Sequence, residues 1–100
     1  MSSQLLAEQF ATVLHEEKTR ARILIDLTIK ALGQKAARNL LTQAIQTETD
    51  GGMMTKDNDR RRTPGGVFFQ LARVAIKEKG LSWNRMAKKA KKAAKLQDAD

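Results

Sequence analysis

The sequence contains no cysteine, no tyrosine, one histidine and one proline. Without cysteine, disulfide bonds and thiolate metal ligands are excluded, which is typical of proteins in a reducing compartment. No stretch approaches the roughly 20 apolar residues that a membrane span needs. The amino terminus also lacks the basic segment and apolar run of a signal peptide. We therefore expect a soluble, unprocessed, intracellular protein.

Patterns that carry catalysis or hold a cofactor are missing as well. His15 has no second histidine or cysteine to work with and is typical of a surface residue near a helix end. The pair Gly65-Gly66 lacks the GxxxxGK[ST] spacing of a phosphate-binding P-loop. Asp50, Asp57 and Asp59 lack the spacing of a calcium loop. The sequence therefore predicts no enzyme, no cofactor and no metal site.

The formal net charge of +8 is distributed unevenly along the chain. Residues 1–50 contain six basic and six acidic side chains, so their charges cancel, whereas residues 51–100 contain 13 basic side chains against five acidic ones. Basic residues concentrated in one part of a chain are typical of a surface that binds a polyanion. The charge therefore favours nucleic acid as the partner, with an acidic membrane or an acidic protein as the alternatives.

Hydrophobic periodicity predicts three amphipathic helices in the neutral half of the chain. The second of them has apolar side chains around most of its circumference and should be central, with Arg22, Asp26 and Lys30 as one polar line. Gly33 should end it. The predicted helices run from Ser2 or Ser3 to about His15, from Thr19 to Leu32 and from Gln34 to about Glu48. The side chains predicted to face inward from the first and third are Leu6, Phe10, Val13, Leu14, Ala36, Ala37, Leu40, Leu41, Ala44 and Ile45.

The segment from Thr49 to Arg62 has no periodicity, is rich in turn-forming residues and is long for a connection in a small domain. Residues 53–55 and 60–62 are compatible with the two sides of a short hairpin. Long connections of this kind are usually functional or mobile.

Three consecutive arginines, Arg60 to Arg62, precede a predicted helix start. Thr63 is a suitable N-cap, and proline at position 64 fits the first helical position. Gly65 and Gly66 then fall in the first turn, where each is less favourable than alanine by about 0.5 to 1 kcal/mol, so a bare backbone should be required there. Because exposed amides at a helix start attract anions, we predict a phosphate site formed by these arginines, Thr63, Gly65 and Gly66.

A fourth helix should run from Thr63 to Lys79, with Gly80 as its stop. Its exposed edge is predicted to carry Arg73 and Lys77, which would extend the phosphate contacts. Phe69 lies at the border of that edge, where it would either stack on a base or belong to the core. Ile76 should also lie at the border, and the predicted inward side chains are Val67, Phe68, Leu71, Ala72, Val74 and Ala75.

Ser82 can cap a last helix that runs from Trp83 to about Leu96 and is basic on most of its surface. Its cations would attract RNA regardless of sequence, or the helix would serve as a protein-interaction or membrane-surface module. The fold class is thus a small all-α bundle of about five helices with a long loop between the third and fourth. We expect residues 1–80 to form one helical RNA-binding domain and residues 81–100 a basic helix or tail. The predicted RNA contacts of the last helix are Arg85, Lys88, Lys89 and Lys92.

The residues from Ala21 to Leu71 resemble the RNA-binding domain of the phosphorylated adaptor for RNA export. The resemblance rests on Gly33, on the pairs Ala36-Ala37, Leu40-Leu41 and Gly51-Gly52, and above all on the run from Arg60 to Phe68. It implies an all-helical domain that binds single-stranded RNA, a link to small nuclear RNA export, protein partners in an export complex, and a location in the nucleus and cytoplasm. It would assign to the family's signature loop Gly51, Gly52, Arg60, Arg61, Arg62, Thr63, Gly65 and Gly66.

Overall fold

The computed structural model describes residues 2–51 and 63–97, which form five α-helices. This confirms the predicted all-α fold, and the helix bounds agree closely with those expected from periodicity. The hairpin predicted between residues 53 and 62 lies outside the described residues. The helices are α1 (Ser3–Leu14), α2 (Thr19–Leu32), α3 (Gln34–Thr49), α4 (Pro64–Glu78) and α5 (Trp83–Gln97).

Three helices begin at the hydroxyl side chains that the sequence predicted as caps. The Ser2 hydroxyl oxygen accepts the backbone N–H of Leu5 at 3.2 Å, and the Ser82 hydroxyl oxygen accepts that of Arg85 at 3.2 Å. At the start of α4, the Thr63 hydroxyl oxygen accepts the N–H of the third helical residue. Each such bond satisfies an amide that has no partner within the helix and typically contributes about 1 kcal/mol.

The core is formed where α1, α3 and α4 meet the central helix α2, which contacts every other helix. Phe10 from α1 and Phe68 from α4 are almost fully buried, and their ring centroids lie 5.7 Å apart at an interplanar angle of 88°. This edge-to-face geometry adds about 0.5 to 1.5 kcal/mol to the burial of the two rings. Ile25 and Ile29 of α2 are buried beside them.

Several inward positions predicted from the helical period are wrong. Val13, Ile45 and Val74 are 46–49% exposed, and Ala36 is exposed as well. Ile76, which was expected at a border, is fully buried. The period gives the direction of an apolar face, but the neighbouring helices decide how much of its margin is covered.

The polar line of α2 is only partly solvated. Asp26 and Lys30 form an ion pair at 3.0 Å, with the Asp26 side chain largely buried and that of Lys30 mostly exposed. Thr28 is fully buried and was not recognised as a core residue. Its hydroxyl donates to the Leu24 carbonyl oxygen at 2.8 Å, which removes the penalty of burying it.

Helix α5 packs against α2 through small side chains. Ala90 and Ala94 are buried, and Met86, Ala87 and Ala93 are half-buried. Alanines at this interface let the backbones of α2 and α5 approach closely while the lysines of α5 remain exposed. The division of the chain after residue 80 stays a prediction.

Candidate nucleic-acid interface

Helices α4 and α5 carry a dense set of exposed cations. Residues 63–97 contain nine lysines and arginines and a single acidic residue, Glu78. All nine cations are exposed, and none forms an ion pair with another described residue. One of them, Lys79, donates to the Ala31 carbonyl oxygen at 2.6 Å and so ties the end of α4 to α2. The nine are Arg73, Lys77, Lys79, Arg85, Lys88, Lys89, Lys91, Lys92 and Lys95.

The exposed edge of α4 has the predicted arrangement of cations. Arg73 and Lys77 are exposed and lie one turn apart. Phe69, one turn before them, is half-buried, and its ring centroid lies 5.8 Å from that of Phe68 and 6.1 Å from that of Trp83. The ring therefore packs on the core cluster and is also partly accessible.

At the start of α4, the chain supplies an anion of its own. A Cβ atom built on Gly65 would lie 2.5 Å from Glu16 Cδ and would also overlap Glu16 Oε1, so glycine is needed for the close approach of that side chain. Gly65 is buried, and the N–H of Gly66 is held by the Thr63 hydroxyl at 3.1 Å. A carboxylate beside a helix start is favourable. The predicted RNA contacts of Gly65 and Gly66 stay predictions, and contact with Gly65 requires the Glu16 side chain to move aside.

A double-mutant cycle on Glu16 and Gly65 tests this packing. In the wild-type chain, Gly65→Ala should change the free energy of unfolding by less than about 0.5 kcal/mol, because the gain in helix propensity is offset by displacement of the Glu16 carboxylate. In a Glu16→Ala background, the same change should stabilise by about 0.5 to 1 kcal/mol. Urea unfolding of the four chains measures both effects. Additive effects would show that Glu16 does not hold its place over Gly65.

Four of the predicted contacts line two cavities. Phe69 and Lys88 line a cavity of about 360 Å³ between α2, α4 and α5. Arg85 and Lys89 line a cavity of about 610 Å³ near the α4–α5 turn, together with Lys30. Arg20 and Trp83 also line the first cavity, and the sequence did not predict either as a functional residue. Arg20 belongs to the neutral half of the chain, and Trp83 was assigned to an apolar stripe. Only their proximity in the folded chain places them together.

The structure describes some of the other predicted positions and not others. Arg60 to Arg62 and Gly52 lie outside the described residues. Gly51 has φ 111°, a left-handed conformation that favours glycine, so the backbone turn after α3 accounts for glycine at this position. Lys92 is exposed on α5.

Within residues 2–51 and 63–97, no group of three or more His, Cys, Asp or Glu side chains could hold a metal ion. No helix in those ranges is long and apolar enough to cross a membrane.

Comparison with known proteins gives a consistent match. A family model described as "Phosphorylated adapter RNA export protein, RNA-binding domain" matches residues 6–92. Curated proteins named "Phosphorylated adapter RNA export protein" also match. The one from Rattus norvegicus is 39% identical over 70% of this chain and 17% of its own length. The protein from Homo sapiens is 36% identical over 70% of this chain and 17% of its own length, and that from Gallus gallus is 34% identical over 94% and 25%. The chain thus spans a quarter or less of the length of these relatives. No solved structure matches.

Proposed function

Because the chain belongs to the family of phosphorylated adapter RNA export protein RNA-binding domains, we propose that it binds single-stranded or flexible RNA. It would grip the RNA mainly through the phosphate backbone, with weak sequence preference. The proposed activity is binding without a catalytic step. The observation that carries the proposal is the surface of α4 and α5, where nine exposed cations are accompanied by one acidic residue.

The distribution of these cations fits a flexible polyanion. Arg85 and Lys89 line one cavity and Lys88 and Lys91 line another, so a strand that contacts both pairs must cross the surface of α5. Arg73 and Lys77 would continue on α4 the contacts that Arg60 to Arg62 and Thr63 begin before it. Binding that releases counterions from phosphates is strong at low salt and carries little sequence information.

The lysines of α5 are the reason that we expect a weak sequence preference. Lysine presents a rotatable point charge on a flexible stem, so it holds a phosphate without the fixed donor geometry that reads a base edge. Lys88, Lys89 and Lys92, with Arg85, would therefore raise the affinity for many RNA sequences by similar factors. Filter binding with several unrelated single strands of equal length should give dissociation constants within about tenfold of one another, in contrast to the 10³-fold or greater ratios of sequence-specific binders.

A role in RNA export is the wider part of the proposal. The relatives are named as RNA export proteins, and this chain would supply an RNA-binding domain of that kind, with protein partners from an export complex and a location in the nucleus and cytoplasm. Crosslinking in cells tests it: the chain should be crosslinked to RNA in nuclear fractions. Recovery only from cytoplasmic fractions without RNA would contradict this part of the proposal.

The alternative function uses α5 as a basic amphipathic helix on an anionic membrane or in an acidic groove. Packing argues against it, because the apolar stripe that would insert, including Ala90 and Ala94, already lies against α2. Such helices bind membranes through their apolar face as well as their charge. Insertion would require α5 to leave the bundle.

A titration against RNA and anionic vesicles separates the two functions. We expect the chain to bind single-stranded RNA with a steep salt dependence, since each phosphate contact adds about 0.7 to the slope of log K against log salt concentration. Binding to vesicles should be weak and should be lost in the same salt range without a gain in helix content. Vesicle binding that survives salt concentrations at which RNA dissociates would favour the membrane function.

A further inference from the structure

The cavity between α2, α4 and α5 combines two aromatic side chains with three cations. Its volume is about 360 Å³, toward the lower end of the range of about 300 to 1,000 Å³ that is usual for small-ligand sites. Three helices contribute to it, so its shape depends on the packing of the bundle. The residues that line it are Arg20 and Leu24 from α2, Phe69 from α4, and Trp83, Ala87, Lys88 and Lys91 from α5.

The aromatic part of the cavity is accessible and held in place. Phe69 and Trp83 are half-buried, and their ring centroids lie 6.1 Å apart at an interplanar angle of 52°. Both pack against the core, which limits their motion, and Phe69 also contacts the buried ring of Phe68. A tilted pair that is fixed on one side and open on the other offers a planar ligand a preformed surface.

The cations around the rings come from two helices. Lys88 and Lys91 lie about one turn apart on α5, and Arg20 lies in the first turn of α2. All three are exposed, and none has an ion-pair partner among residues 2–51 and 63–97. The described lining contains no acidic side chain. The cavity is therefore electropositive at its rim and apolar on its floor.

We propose that this cavity binds one unpaired nucleobase of the RNA, with the base stacked on Trp83 beside Phe69 and the flanking phosphates held by Arg20, Lys88 and Lys91. The inference rests on the proposed RNA binding and adds a base contact to a surface that otherwise holds phosphates. A phosphate alone would leave the two rings unused. A base in a duplex cannot reach them without leaving its stack, so the cavity selects single strands.

The chain contains its own reporter for this contact. Trp83 is the only tryptophan and there is no tyrosine, so the intrinsic fluorescence excited at tryptophan wavelengths comes from the proposed site. A single-stranded RNA of about 12 nucleotides, within the site sizes of single-strand binders, should quench this fluorescence as it binds. An oligomer of the same length and charge that lacks bases should bind more weakly, by about 5- to 100-fold, and should leave most of the fluorescence unchanged.

Two matched pairs of variants locate the contact. Trp83→Leu should weaken binding of the normal RNA by about 5- to 100-fold, while Trp83→Phe, which keeps an aromatic face, should lose much less. Lys91→Gln should reduce affinity more than Lys95→Gln, because both remove one exposed charge from α5 but Lys95 does not line the cavity. Circular dichroism confirms that each variant is folded, and the quenching experiment on the unmutated chain needs no variant.

The outcomes separate this inference from the proposed function. If RNA binds, measured by fluorescence anisotropy of a labelled strand, but neither quenches Trp83 nor distinguishes the base-free oligomer, the base site is wrong while RNA binding stands. If neither oligomer binds, the proposed function is wrong and the base site with it. Quenching together with a larger loss for Trp83→Leu than for Trp83→Phe supports the site.

Discussion

Replacing Arg60, Arg61 and Arg62 together by alanine should weaken the binding of single-stranded RNA by about 100-fold at low salt, since each exposed cation near a polyanion contributes roughly 1 kcal/mol. The slope of log K against log salt concentration should fall by about 2, which corresponds to three lost contacts at about 0.7 each. Filter binding over a range of salt concentrations measures both quantities. The loss should be similar for RNAs of different sequence, because phosphate contacts carry no sequence information.

A second triple variant controls for net charge. Lys18, Lys35 and Arg38 are exposed and belong to the half of the chain whose charges cancel. Changing all three to alanine removes the same charge as the arginine variant, so the long-range attraction falls equally. In this control, we expect the slope of log K against log salt concentration to fall by less than about a third of one unit. Equal losses in the two variants would mean that net charge, and not the arginine run, determines binding.

Phe68→Ala should lower the free energy of unfolding by about 3 to 5 kcal/mol. Phe68 is fully buried and its ring lies edge to face with Phe10 and also contacts Phe69. Truncation removes these contacts and leaves a cavity at the junction of α1 and α4 that the bundle cannot fill without repacking. For a domain of this size, the melting temperature should fall by roughly 15 to 30 °C.

Val74→Ala provides the comparison on the same helix. The Val74 side chain is 49% exposed, and alanine is the better helix former. We expect a change of less than about 0.5 kcal/mol in the free energy of unfolding. Thermal and urea unfolding followed by circular dichroism measure both variants. A Phe68→Ala chain as stable as Val74→Ala would contradict the placement of Phe68 at the centre of the core.

The α-helical fold could be predicted closely from the sequence. Helix starts are marked by side chains that act locally, since Ser2, Thr63 and Ser82 each accept an amide three residues ahead. The end of α2 at Gly33, with φ 91°, is local in the same way. Which apolar side chains are buried could be predicted less well, because burial depends on neighbours distant in sequence. Val74 and Ile76, two residues apart on α4, are respectively half-exposed and fully buried.

The role of Gly65 shows the same limit at the candidate site. From the sequence, a glycine in the first turn of a helix indicates a close approach, and the structure contains one. The approaching group is the Glu16 side chain, which comes from the turn between α1 and α2 and is 49 residues earlier in the chain. No local pattern identifies a partner at that separation.

The sequence by itself determined the helices, their caps and the concentration of positive charge in the second half of the chain, because capping, periodicity and composition depend on residues close together in the sequence. Only the tertiary structure decided that Arg20 lies with Trp83 and the lysines of α5, and that the apolar stripe of α5 is covered by α2. These contacts join elements that are 50 or more residues apart. Whether they form depends on which helix faces pack together, and that is a property of the whole bundle.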